Sequence, residues 1–133
     1  MKRANSSSIV LVALLLFGCG AQSGTVQEQG TKAVLSVGAP RLVSEATVLR
    51  IWVHSGASVP VPASQLPPGI TALRPQEVRV TQQGIFVQRS KRTGWEEGVF
   101  IAFRGTMVET RFRGVGPLFS HIDDQVYWYK VEG

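Results

Sequence analysis

The chain has 133 residues, a single cysteine, and a formal charge of +5 from 14 Lys and Arg against 9 Asp and Glu. One cysteine excludes an internal disulfide, and the length fits one domain, which an apolar core alone must then stabilise. Lys2 and Arg3 account for two of the five charges, and the +3 left on the remainder is too mild an excess to argue for a nucleic-acid partner.

The N-terminus begins Met1-Lys2-Arg3, continues through a short polar stretch to Ser8, and enters an uncharged apolar run from Ile9 to Phe17. A basic start followed by such a run is the layout of a secretory signal. The run is far shorter than the roughly 20 residues a spanning helix needs, so it reads as a removable leader. Leu16-Phe17-Gly18-Cys19 closes it. These four residues resemble the lipobox of bacterial lipoproteins. The resemblance implies cleavage before Cys19, diacylglycerol on its thiol, and often an acyl chain on the new amine. It also implies attachment to the extracytoplasmic side of a bacterial membrane. Gly20 stands where an aspartate would, in some envelopes, signal retention in the inner membrane, so the outer membrane is preferred where there are two.

Removal of residues 1–18 leaves 115 residues. Residues 19–30 are polar, glycine-rich and free of aromatics, which predicts a lipidated cysteine followed by a flexible tether. A single β-rich domain is expected over residues 31–133. Ala33–Val37 and Arg41–Val43 read as an opening strand broken at Gly38-Ala39-Pro40. In Thr47–His54 the residues Leu49, Ile51 and Val53 alternate with Arg50, Trp52 and His54, the pattern of a half-buried strand. Residues 59–75 hold five of the seven prolines, which rules out a central strand and suggests an edge or a loop with Leu66, Ile70 and Leu73 as plugs. Glu77–Thr81 and Ile85–Arg89 flank Gln82-Gln83-Gly84, a hairpin with Gly84 expected at positive φ. Val99–Phe103 and Met107–Arg113 flank Arg104-Gly105-Thr106 as a second hairpin. Asp123-Asp124 forms a turn into a last strand over Gln125–Val131. Together these predict an all-β fold, a small antiparallel sandwich or barrel.

Chemistry-bearing motifs are sparse. His121 with Asp123 and Asp124 reads as a turn in preference to a metal site, and neither a metal nor a cofactor is expected. Glu96 and Glu97 read as a charged turn; adjacent strand residues point to opposite faces and so do not flank one bond. No nucleophile elbow occurs after Cys19, and no catalytic residue is assigned. The surface singled out is basic and aromatic: Arg111 and Arg113 on one strand face, with Arg89, Lys91 and Arg92 nearby, and Trp128 pointing away from Tyr127 and Tyr129. Guanidinium groups beside aromatic rings suit carboxylates, phosphates or sugars. The expected role is a binding or assembly module of the cell envelope, held to the membrane through Cys19. Its partner would be an envelope protein or an anionic wall polymer. A small cell-wall-directed enzyme is the alternative.

Overall fold

A computed structural model of the chain describes residues 24–53, 57–110 and 116–132. The leader, Cys19 and the start of the tether lie outside the described residues, as do His54, Arg111 and Arg113.

The first elements are helices. Thr25 caps α1 (Val26–Val37): its hydroxyl accepts from the Glu28 amide at 3.0 Å, and Glu28 reaches back to the Thr25 amide, a reciprocal capping box. Gly38, at φ 99°, ends α1 and leads into α2 (Ala39–Leu49), where Pro40 sits in the first turn and needs no donor. These helices replace the expected opening strand and the first half of the strand at Thr47–His54. The reason is legible in α2. Ala39, Leu42, Val43, Ala46 and Leu49 recur at helical spacing, and all five are buried. Beyond Leu49 the chain makes a 3-10 turn at Arg50–Trp52, where Ile51 is 84% exposed. The alternation read there as a half-buried strand does not correspond to burial. The ordered fold also begins earlier than Thr31, since Val26 to Gly30 are helical and Gly30 is buried.

The rest is one antiparallel sheet, with strands β1 (Val59–Pro60), β2 (Glu77–Val80), β3 (Gly84–Arg92), β4 (Trp95–Ala102), β5 (Leu118–Asp123) and β6 (Val126–Glu132) in the spatial order β1-β2-β3-β4-β6-β5. The sheet is open. Its second layer is helical, with α1, α2 and the short α3 (Pro68–Ala72) on one face, so the fold is mostly β with a helical cover and is neither a barrel nor an all-β sandwich. The main core lies between the layers. It joins Val34, Leu42, Leu49, Ile70 and Leu73 to Val78, Val80, Ile85, Val87, Val99, Ile101, Val126 and Trp128. Full burial of each large aliphatic side chain contributes about 1.5–3 kcal/mol, which makes a cysteine-free core of this size sufficient.

The proline-rich segment behaves as a border. Its only strand is the two-residue edge β1, and Ile70 and Leu73 are fully buried while Leu66 is half-buried. Glu45 of α2 fixes its helix: the two carboxylate oxygens accept from the amides of Gly69 at 3.0 Å and Ile70 at 2.8 Å.

The first hairpin forms as expected between β2 and β3, but Gly84 is not at positive φ. A Cβ there would lie 2.4 Å from the Ile101 carbonyl and 2.8 Å from the Phe100 ring, so glycine is required by close approach. Among the described residues the second expected hairpin does not form. Strand β4 pairs with β3 through the Thr93-Gly94 turn and with β6 on its other side, so both of its edges are occupied and residues 107–110 have no strand to join. Because β4 and β5 are each antiparallel to β6, they run parallel, and the chain after Phe103 must return to the far end of the sheet. The described part of this connection packs Val108 against the sheet face that the helices leave open.

Candidate functional site

That open face is organised in two rows. Strand register places Pro60, Arg79, Phe86, Phe100, Tyr127 and His121 opposite one another across all six strands. One step along, Glu77, Gln88, Gly98, Tyr129 and Phe119 form the neighbouring row. With strands about 4.8 Å apart, the rows from β2 to β5 run for roughly 19 Å. Phe86 and Phe100 have ring centroids 4.6 Å apart, Phe100 and Phe119 5.0 Å, and the edge of one ring meets the face of the other between Phe86 and Tyr129 at 4.9 Å. Phe100 and Tyr129 are buried beneath these contacts, Phe86, Phe119 and Tyr127 are half-exposed, and His121 is exposed.

A charged network anchors the β2 end. Glu96 Oε2 accepts from Arg79 Nη2 at 2.7 Å and from the Tyr129 hydroxyl at 2.7 Å, while Arg79 Nη1 donates to Glu77 at 2.9 Å. Burial opposes the charge on Glu96, but the hydrogen bonds from Arg79 and Tyr129 outweigh it and hold the carboxyl below the ordinary glutamate range. The Tyr129 phenol is pushed far above its usual range, first by burial and then by its bond to Glu96. Arg79, which burial alone would lower, is raised by the same carboxylate. The guanidinium also lies 5.9 Å from the Phe86 ring centroid, a cation on the aromatic row. Glu96 and Glu97 are therefore buried members of β4 and not a charged turn. They do point to opposite faces: Glu97 accepts from Trp128 Nε1 at 3.1 Å on the helical side.

Trp128 is accordingly an interior residue. It is 1% exposed and lies directly under Gly30 of α1, where a Cβ would stand 2.2 Å from its ring. The exposed aromatic partner expected of it is supplied by the opposite side of β6, where Tyr127 stands. Arg89 is the extra residue of a bulge between Gln88 and Ser90, with its guanidinium turned towards α1. Lys91 and Arg92 are exposed at the end of β3. His121 Nε2 contacts the Asp124 carbonyl at 2.8 Å across the turn, where Asp124 adopts φ 49°. Among the described residues no three His, Cys, Asp or Glu side chains gather as metal ligands, and no helix is long and apolar enough to cross a membrane.

The aromatic row was missed because its members come from four strands, two of them wrongly paired or unassigned in the sequence reading. The available signal was Phe86, Phe100, Phe119 and Tyr127, each flanked by residues destined for the other face. Comparison with models of known protein families, with curated proteins and with solved structures finds no match.

Proposed function

We propose that this protein is a lipid-anchored binding module of the bacterial envelope, tethered through Cys19 and meeting an anionic partner on the aromatic face of its sheet. The reading rests above all on one observation: a strip of half-exposed rings crosses the face opposite the helices, with Arg79 at one end. Aromatic surface contributes binding area with little conformational entropy to lose, and Arg79, held by Glu77 and Glu96, fixes one end of the strip. Glu77, Arg79, Glu96 and Tyr129 on this face are engaged with one another, which suits a preorganised surface better than acid–base chemistry by these four groups. Arg111 and Arg113 follow Val108 in the sequence, and in this reading they supply positive charge for the anionic partner. The partner is an anionic wall polymer or an acidic envelope protein, on the extracytoplasmic side and at the outer membrane where there are two.

Metabolic labelling with a fatty-acid analogue tests the anchor: the wild type takes up label and Cys19→Ser does not. Pull-down from envelope extract tests the face. Exposed charges are screened over about 8 Å at physiological salt, so recovery should fall steeply as salt rises. Replacing Arg111 and Arg113 together by glutamine should lower recovery with the fold unchanged. Undiminished labelling of Cys19→Ser would remove the anchor, and identical recovery by wild type and double mutant would remove the two arginines.

A further inference from the structure

A separate concavity lies where α3 leads into β2. It is a cleft of about 370 Å³ between the proline-rich segment and the strand, within the range of small-molecule pockets and too small for a polymer. Val61, Leu66, Pro75 and Val78 form its apolar wall, and Arg74 and Gln76 contribute polar groups. Val61 and Val78 are nearly inaccessible in themselves, 7% and 2% exposed, so this wall is part of the packed core and not a mobile fringe.

Arg74 is the unusual member. Its φ of 54° lies in the left-handed region, at the residue that ends α3, where glycine is the favoured choice. Its backbone is held there by a hydrogen bond that its amide donates to the Thr71 carbonyl at 3.0 Å. A side chain kept at a backbone position that penalises it suggests a use for the side chain. The Arg74 guanidinium makes no hydrogen bond or ion pair among the described residues. Glu77, the acid on the cleft wall, is engaged by Arg79 at 2.9 Å. Arg89 Nη1, turned towards α1, is shut off from solvent and has no hydrogen-bond partner among the described residues. Burial first, and then the charge of Arg74, lower the Arg89 pKa from its ordinary value. Arg74 thus brings a guanidinium with no hydrogen bond or ion pair among the described residues to the lining of an apolar cleft.

We infer that this cleft binds a small aliphatic carboxylate, its carboxylate on the Arg74 guanidinium and its chain against Val61, Leu66 and Val78. A guanidinium presents a fork of N–H donors that a carboxylate accepts in parallel. The neighbouring Glu77 disfavours a dianion, so a singly charged head on an apolar body fits better than a phosphate. The inference does not depend on the anchor or on the aromatic rings, although Glu77 belongs both to the cleft wall and to the open face.

Octanoate is the probe, titrated into the purified full chain by calorimetry and followed by amide chemical shifts. Octylamine, octanol and inorganic phosphate provide the same chain with the opposite charge, the same chain with none, and the anion without the chain. The expected result is saturable octanoate binding, with shifts centred on Val61, Leu66 and Val78. Octylamine, octanol and phosphate should each bind at least tenfold more weakly. Arg74→Gly is the matching variant, because glycine suits the left-handed backbone and the fold should be kept or made firmer. It should weaken octanoate by tenfold or more, the loss expected for one charge-assisted pair, with no fall in Tm. Leu66→Ser should weaken octanoate while leaving the charge preference in place. Three results would overturn the inference: no saturable octanoate binding by the wild type, equal binding by Arg74→Gly, or octylamine binding as tightly as octanoate.

Discussion

Glu96 carries more than its own strand position, because one oxygen serves both Arg79 and Tyr129. Glu96→Gln keeps the shape and removes the charge, leaving Arg79 half-buried with one weaker partner. A hydrogen bond to a charged group contributes about 1.5–3 kcal/mol, so a loss of about 2–3 kcal/mol in urea denaturation is expected. The pH dependence follows from the lowered pKa. A carboxylate whose folded pKa lies below its unfolded value stabilises the fold above the ordinary glutamate value of about 4.3. That contribution is lost as pH falls through the folded pKa. Wild-type stability should therefore drop on acidification from pH 5 towards pH 3, and the drop should be shallower in Glu96→Gln. An equally steep drop in the variant would show that other carboxylates set the acid limit. Gly30 gives the opposite kind of test. Gly→Ala inside a helix usually stabilises by up to about 1 kcal/mol, yet here the added methyl meets the Trp128 ring at 2.2 Å. Overpacking costs about 1–3 kcal/mol, so Gly30→Ala should lower Tm where helix propensity alone would raise it.

Strands were easier to read from the sequence than helices, for a physical reason. The hairpin of β2 and β3, the turn at Asp124 and the last strand announce themselves through alternation and turn residues within one short window. Helices α1 and α2 are about three turns each and rich in Val, Ala, Ser and Thr, so their composition favoured strands while their spacing favoured helices. Leu49, Ile51 and Val53 added a competing alternation across the end of α2, and only the burial of Leu42, Ala46 and Leu49 decides between the two periods. The pairing of β4 with β6 was beyond any local signal, because β6 lies across the long connection, whereas its pairing with β3 is a hairpin through Thr93-Gly94. The candidate face suffered for the same cause: its rings were visible one by one, their row was not. Contacts between elements show the same non-local character. Glu45 ties α2 to the first turn of α3 and also pairs with Arg41 at 3.1 Å. Glu45→Ala strips two backbone amides of their acceptor and should cost about 2 kcal/mol. Amide exchange should rise first at Gly69 and Ile70. Unchanged exchange there would mean that α3 is held by Ile70 and Leu73 alone.

At the scale of the whole molecule, the two sheet faces divide the work. One is sealed by helices α1, α2 and α3 over an aliphatic core, which makes the domain stable without a disulfide. The other keeps a row of rings partly open. In the proposed arrangement the lipid on Cys19 is only a few residues from the cap of α1 at Thr25, so the domain is held close to the membrane with little slack. A short leash raises the local concentration of any partner attached to the same envelope, and a modest intrinsic affinity is then enough. Site-specific photo-cross-linking in intact cells addresses this most directly. A photoreactive phenylalanine replaces Tyr127 on the open face in one strain, and Leu35, 59% exposed on α1, in another. The account predicts a discrete cross-linked species of higher mass from position 127 and none from position 35. Cross-linking from position 35 with none from position 127 would contradict it.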